Sequence, residues 1–213
     1  MPKIDFWYRL GKAAALLTMS WPFGGVEVCG KERVPRTGPL LIAVNHQSDA
    51  DPAAILYAMN RQVYFMAKRE LFAGKVFSYL LRAVHVFPVD RGGNDGAALL
   101  KARQLLSEER ALVLFPEGTR SPGALAQASD GVAYIAMRTG APIVPMAITG
   151  TETLSTIWSA AFNSRRLCVS FGEPIELSPQ FGRINREEIR QGTDRIMQAI
   201  ASLLPQSYRG FYG

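Results

Sequence analysis

Short apolar runs recur along the chain, each closed by glycine, proline or charged residues. They lie at 26–29, 40–44, 63–67, 84–89, 111–115, 142–148 and 167–171, and each reads as a β-strand. The run at 111–115 has no polar member, the pattern of a central strand buried on both faces. Between the runs, apolar residues recur every three or four positions, which predicts helices. These span 52–59, 71–81, a stretch from Asn94 or Asp95 to about 109, 131–138 capped by Asp130 and stopped by Gly140, and Asn185 to 204. The 71–81 helix places Phe72, Val76, Tyr79 and Leu80 on one side. Residues 149–163 show neither period. The tail from Pro205 reads as loose, or as packed by Tyr208 and Phe211. Strands alternating with helices predict a single α/β domain with a largely parallel central sheet flanked by helices.

A further helix is predicted over 4–21, before the first strand. Asp5, Arg9 and Lys12 form one stripe, and Trp7, Leu10, Ala14, Leu17 and Trp21 the opposite one. Two tryptophans with basic residues suit a helix lying in a membrane interface. The plainer reading is a helix packed on its own domain. The chain therefore divides into an interfacial helix, 1–25, and a catalytic domain, 26–213. No apolar run reaches the ~18–20 residues that span a bilayer. The run at 13–19 is short, and Ser20-Trp21-Pro22-Phe23 is a poor signal-peptide cleavage site.

With 213 residues, 48% of them hydrophobic, the chain is long enough for one well-buried core. A net charge of +6 implies attraction to anions without choosing among them. No run of five basic residues exists, which argues against a nucleic-acid partner. Cys29 and Cys168, each beside a valine, read as buried free thiols in a reducing compartment.

The candidate chemistry begins at Asn45-His46-Gln47-Ser48-Asp49-Ala50-Asp51-Pro52, directly after an apolar run. Pro52 suits the first turn of a helix, so His46 falls on a strand-to-helix turn, where open α/β sheets place their sites. Asp51 on one imidazole nitrogen would fix the tautomer and leave the other nitrogen as a base. Asp51 is equally placed to be an ordinary helix N-cap. Other strand ends are also charged or glycine-bearing: Lys68-Arg69, Asp90-Arg91-Gly92 and Glu117-Gly118-Thr119-Arg120. In a parallel sheet these ends share one edge. Lys68, Arg91 and Arg120 are then candidate anion ligands, the guanidinium of Arg120 fitting a phosphate bidentately. Gly118 would let backbone approach a ligand. Each base taken alone reads more simply as a solvated surface charge. His85, between two valines, reads as a packing residue. A zinc site from His46, His85 and Asp49 or Asp90 has no ligand spacing behind it. The chain has no G-x-S-x-G, P-loop, G-x-G-x-x-G or H-E-x-x-H motif.

Four blocks in order resemble the glycerolipid acyltransferase family that contains the 1-acyl-sn-glycerol-3-phosphate acyltransferases. The first, with its H-x4-D spacing, runs from Asn45 to Pro52. The second is Phe87-Pro88-Val89-Asp90-Arg91-Gly92, the third Phe115-Pro116-Glu117-Gly118-Thr119-Arg120-Ser121, and the fourth Ile143-Val144-Pro145-Met146-Ala147-Ile148. Ala67-Lys68-Arg69-Glu70-Leu71 and Phe171-Gly172-Glu173-Pro174-Ile175 extend the likeness, which covers about 25 to 177. One departure stands out: where related sequences carry a basic glycine turn after the third block, this chain has Ala126-Gln127-Ala128-Ser129-Asp130-Gly131.

The resemblance implies transfer of a fatty acyl group from acyl-CoA or acyl-carrier protein to the free hydroxyl of lysophosphatidic acid, forming phosphatidic acid in phospholipid biosynthesis. It implies His46 as general base, Asp51 as its orienting carboxylate, and Lys68, Arg91, Glu117, Gly118, Thr119 and Arg120 around the substrate. No metal or cofactor is expected beyond the thioester substrate. The expected partners are the two lipid substrates, a membrane surface and, as one donor, acyl-carrier protein. The expected location is the cytoplasmic face of the cell membrane, peripheral or monotopic. The alternatives are another lysolipid or glycolipid acceptor, a phosphate-ester metallohydrolase, and a non-catalytic lipid-binding module.

Overall fold

The computed structural model describes residues 6–20, 25–89, 96–154, 166–180 and 182–213. Seven strands form one sheet in the order β1-β7-β6-β2-β5-β3-β4. They are β1 Val26–Cys29, β2 Leu40–Val44, β3 Val63–Lys68, β4 Val86–Val89, β5 Ala111–Leu114, β6 Ile143–Thr149 and β7 Leu167–Phe171. Every pairing is parallel except β6 with β7. The α-helices are α1 Phe6–Ser20, α2 Asp51–Ala58, α3 Lys75–Ala83, α4 Gly96–Ser107, α5 Gly131–Thr139 and α6 Arg186–Ser202.

The central strands are apolar at every position because both faces are covered. Leu40, Ile42 and Val44 of β2 join a core with α1 and α2, while Leu41 and Ala43 join a second core with α4, α5 and α6. β5 divides the same way, Ala111 and Val113 to one side, Leu112 and Leu114 to the other. β2 and β5 are neighbours, yet the chain leaves β2 for α2 on one face and β5 for α5 on the other. The two departing turns lie side by side at the carboxyl edge of the sheet. In open α/β sheets this is where ligands bind.

Helix α1 packs on the domain through a face other than its Trp7–Leu10–Leu17 stripe. Its buried residues are Tyr8, Ala15, Thr18 and Met19, while Leu10 and Leu17 of the apolar stripe are 51% and 71% exposed. Tyr8 accepts the Val63 N–H at 3.0 Å. Lys12 does not lie on a solvated stripe: its ammonium donates to the Met59 carbonyl, 2.6 Å away at the end of α2. There it satisfies a carbonyl past the helix end, which has no partner within the helix. Asp5 and Trp21 lie outside the described residues.

The 71–81 helix is split. A 3₁₀ turn at Arg69–Phe72 precedes α3, with Gly74 extended at its N-cap. Glycine is a poor helix former, so the break falls there. Tyr79 and Leu80 face outward while Phe72 and Leu81 pack on the core. Val84 and His85 form a turn before β4, His85 having φ 61°. Its ring stacks between Tyr8 and Tyr64. Asp130 does not cap α5; its carboxylate accepts from the Thr193 hydroxyl at 3.0 Å. At α6 Asn185 accepts from Glu187 N, while Glu188 takes the Gln180 amide instead of closing the capping box. In the tail Phe211 is exposed, while Tyr208 and Tyr212 pack on the second core; Cys29, at the end of the edge strand β1, is exposed and not buried.

Candidate active site

The site is built where β2 leaves the sheet. Past Val44, the Asn45 side chain takes over pairing with β6, accepting from Ile148 N at 2.8 Å and donating to Ile148 O at 2.9 Å. The next residue, His46, is thereby fixed at the carboxyl edge. Its Nδ1 lies 2.8 Å from Asp51 Oδ2. One ring face is covered by Phe115, stacked at 4.1 Å between centroids. With Nδ1 donating to the carboxylate, Nε2 carries the lone pair of a base.

Asp51 is wholly buried and has four donors around it. Oδ2 accepts from Gln47 N at 2.6 Å and Ser48 N at 2.9 Å besides His46, and Oδ1 accepts from the Thr151 hydroxyl at 2.6 Å. The N-cap of α2 is Ala50, with no side-chain cap. Asp51 is therefore the first helical residue, and its carboxylate turns back onto the His46 turn. Thr151 has no place in the sequence reading, because it falls in the unassigned stretch after β6. The available signal was its position: a hydroxyl residue just past an apolar strand on the same sheet edge.

The turn after β5 is laced to the His46 turn by three hydrogen bonds. His46 N donates to Glu117 Oε1 at 2.9 Å, Ser121 N to His46 O at 2.7 Å, and Gly123 N to Gln47 Oε1 at 2.6 Å. Glu117 is buried, and its second oxygen accepts from Ala126 N at 2.8 Å. Burial pushes its carboxyl above the usual glutamate range, against the N–H groups of Ala126 and His46. Gly118 has φ 68°, which a side-chain-bearing residue adopts at a cost, and the space around its Cα is open. Thr119 and Arg120 are exposed beside it. Arg120 Nη1 lies 2.6 Å from Asp49 Oδ2.

Lys68 is exposed at the end of β3. Phe65 pairs with Val113 of β5, so Lys68 reaches the same edge as the Glu117 turn. Arg91 and Asp90 lie outside the described residues. His85 precedes β4 and so sits at the opposite edge, away from His46. Among the described residues no group of three or more His, Cys, Asp or Glu side chains is placed to hold a metal ion.

The sheet thus carries on its carboxyl edge a histidine held by a carboxylate, with Nε2 left as an acceptor. The family model described as Acyltransferase matches residues 25–149, and the chain belongs to that family. It is 29% identical over 181 residues to the 1-acyl-sn-glycerol-3-phosphate acyltransferase of Bacillus subtilis, covering 84% of this chain and 88% of that one. It is 30% identical over 165 residues to the Streptococcus pneumoniae protein of the same name, covering 76% of this chain and 60% of that one. The fold is similar to the crystal structure of the 1-acyl-sn-glycerophosphate (LPA) acyltransferase PlsC from Thermotoga maritima. The TM-score is 0.71 at 24% identity, over 92% of this chain and 78% of that one.

Proposed function

We propose that the protein transfers a fatty acyl group from a thioester, acyl-CoA or acyl-carrier protein, to the free hydroxyl of lysophosphatidic acid, forming phosphatidic acid. The observation that carries the reading is the His46–Asp51 pair, 2.8 Å long, with Nε2 left as the base. Nε2 takes the hydroxyl proton as the oxygen attacks the thioester carbonyl, and the imidazolium forms beside a buried carboxylate. Collapse of the tetrahedral intermediate expels the thiolate, which takes the proton back from His46. A thiolate leaves readily, so this path calls for no metal and no acyl-enzyme. Arg120, Gly118 and Thr119 line the acceptor side, with Lys68 and Arg91 as further cations. Glu117 acts by holding the His46 backbone.

The lysolipid acceptor and the phosphatidic acid product reside in a bilayer, and the reading places the protein peripherally on an anionic membrane surface. Two features support this. The outer face of α1 presents Phe6, Trp7, Leu10 and Leu17 beside Tyr79 and Leu80 of α3. No described helix is long and apolar enough to cross a membrane.

The test is an assay of purified protein with lysophosphatidic acid against other lysolipids, each with acyl-CoA and acyl-carrier donors, following thiol release and product. Phosphatidic acid formed in preference to other products is expected. Thiol release with another lysolipid only would replace the acceptor. Turnover abolished by a chelator would favour metal-dependent chemistry instead.

A further inference from the structure

Four contacts join the His46 turn to the Glu117 turn, and the fourth differs in kind. The first three are His46 N to Glu117, Ser121 N to His46 O and Gly123 N to Gln47. They fix the two backbones against each other. The fourth joins two charged side chains on the outer surface, Arg120 and Asp49, which are 56% and 60% exposed. The frame is complete without it. An exposed ion pair adds little to stability, so the contact does not serve the fold.

The pair is nonetheless held in place. Asp49 stands between two tied amides: Ser48 N donates to Asp51, and Ala50 N donates to the Ser48 hydroxyl at 3.1 Å. Arg120 is followed by Ser121, whose N–H is bound to His46 O. Both side chains therefore start from fixed points, and the carboxylate engages Nη1, one of the guanidinium donors that a phosphate would use.

We infer that Asp49 is a specificity-determining residue for the acceptor: its carboxylate stands in for the acceptor's phosphate on Arg120 and must be displaced when that phosphate binds. The inference rests on the reading that Arg120 holds the acceptor phosphate. Asp49 weakens acceptor binding in two ways. It competes for the guanidinium, and after displacement it remains as a like charge beside the phosphate. The segment 126–131 has no basic residue to offset it. The site is thus tuned toward weak retention of anionic headgroups.

The experiment measures initial rates with lysophosphatidic acid for the wild type, Asp49→Asn, Arg120→Gln and the double variant. It also measures melting-temperature shifts with inorganic phosphate, which need no turnover. Asp49→Asn is expected to lower KM for the acceptor by about 1.5–5-fold, the scale of one exposed charge contact, with no matching change in KM for the acyl donor. Its melting point should rise more than the wild type's at the same phosphate concentration. In the double variant the gain should vanish, because both substitutions act on one pair. If Arg120→Gln raises acceptor KM but Asp49→Asn leaves it unchanged or raises it, the inference is overturned and the acceptor reading stands. If Arg120→Gln alters neither acceptor KM nor the phosphate shift, Arg120 is not the phosphate ligand and both fall together.

Discussion

In the turn after β2, Asn45, Gln47, Ser48 and Asp51 are polar and buried, and each has hydrogen-bond partners. On α1, Phe6, Leu10 and Leu17 are apolar and more than half exposed. A buried polar group left without a partner costs about 1–3 kcal/mol, so the turn is stable only because its bonds are all made together. An apolar side chain left in water forgoes about 1.5–3 kcal/mol that burial would give. The first region spends its packing on a fixed geometry, which suits a reaction centre. The second leaves apolar surface uncovered, which suits a face that meets something apolar.

The most severe test of this contrast removes the base. His46→Ala should lower kcat/KM by ~10²–10⁴-fold, the usual range for losing a general base, while circular dichroism and the melting curve show a folded protein. Near-normal turnover in the folded variant would refute the assignment. Asp51→Asn should lose nearly as much. Its amide oxygen can still accept from the N–H groups of the turn, but the imidazolium loses its countercharge. Thr151→Val removes one of the four donors and should lower kcat about tenfold, the scale of one hydrogen bond to a charged group. If Asp51→Asn proves milder than Thr151→Val, the carboxylate is there for hydrogen bonding and not for charge.

The outer region is tested by Leu10→Glu with Leu17→Glu. Both side chains are exposed, and neither belongs to the buried face of α1. The wild type should sediment with anionic vesicles, in a salt-dependent way given its +6 charge. The double variant should stay in the supernatant, with its melting point within a few degrees of wild type. A variant that still sediments would show that this face is not the one engaged. One that unfolds would show that α1 needs its outer leucines for packing.

The two regions also differ in how far the sequence disclosed them. The strands 26–29, 40–44 and 167–171 were legible to the residue: 40–44 is buried throughout and writes an unbroken apolar run, while 26–29 and 167–171 alternate more and less buried positions. The His46–Asp51 pair was legible because its members are five positions apart across a strand-to-helix turn. The contact of Glu117 with His46 spans 71 residues, and no local pattern encodes it. Thr151 was hidden for the same reason. On α1 the difficulty was ambiguity. Tyr8, Ala15, Thr18 and Met19 make a stripe about as apolar as Leu10, Ala14 and Leu17, so period alone does not say which one faces the core. Tyr8 decided it, since its hydroxyl reaches Val63 N. At α3 the break before Gly74 was masked by apolar residues on both sides.

The smallest expected effect concerns Glu117, whose charge is disfavoured by its burial. Its carboxyl is raised above the ordinary value of 4.5, burial outweighing the N–H donors of Ala126 and His46. An acid with a raised folded pKa holds its proton more tightly in the folded chain than in the unfolded one. Its contribution to stability is therefore greatest below the ordinary glutamate range. It declines as pH rises from there through the raised folded value. Glu117→Gln does not titrate. The stability difference, wild type minus variant, should be largest at acid pH and shrink toward neutrality, no more steeply than ~1.4 kcal/mol per pH unit, the limit for one proton. Denaturant melts of both proteins across pH 4 to 7 read this directly, since every other titrating group is shared. A difference that grows with pH would mean that the donors outweigh burial. Glu117 would then stabilise the frame as a carboxylate.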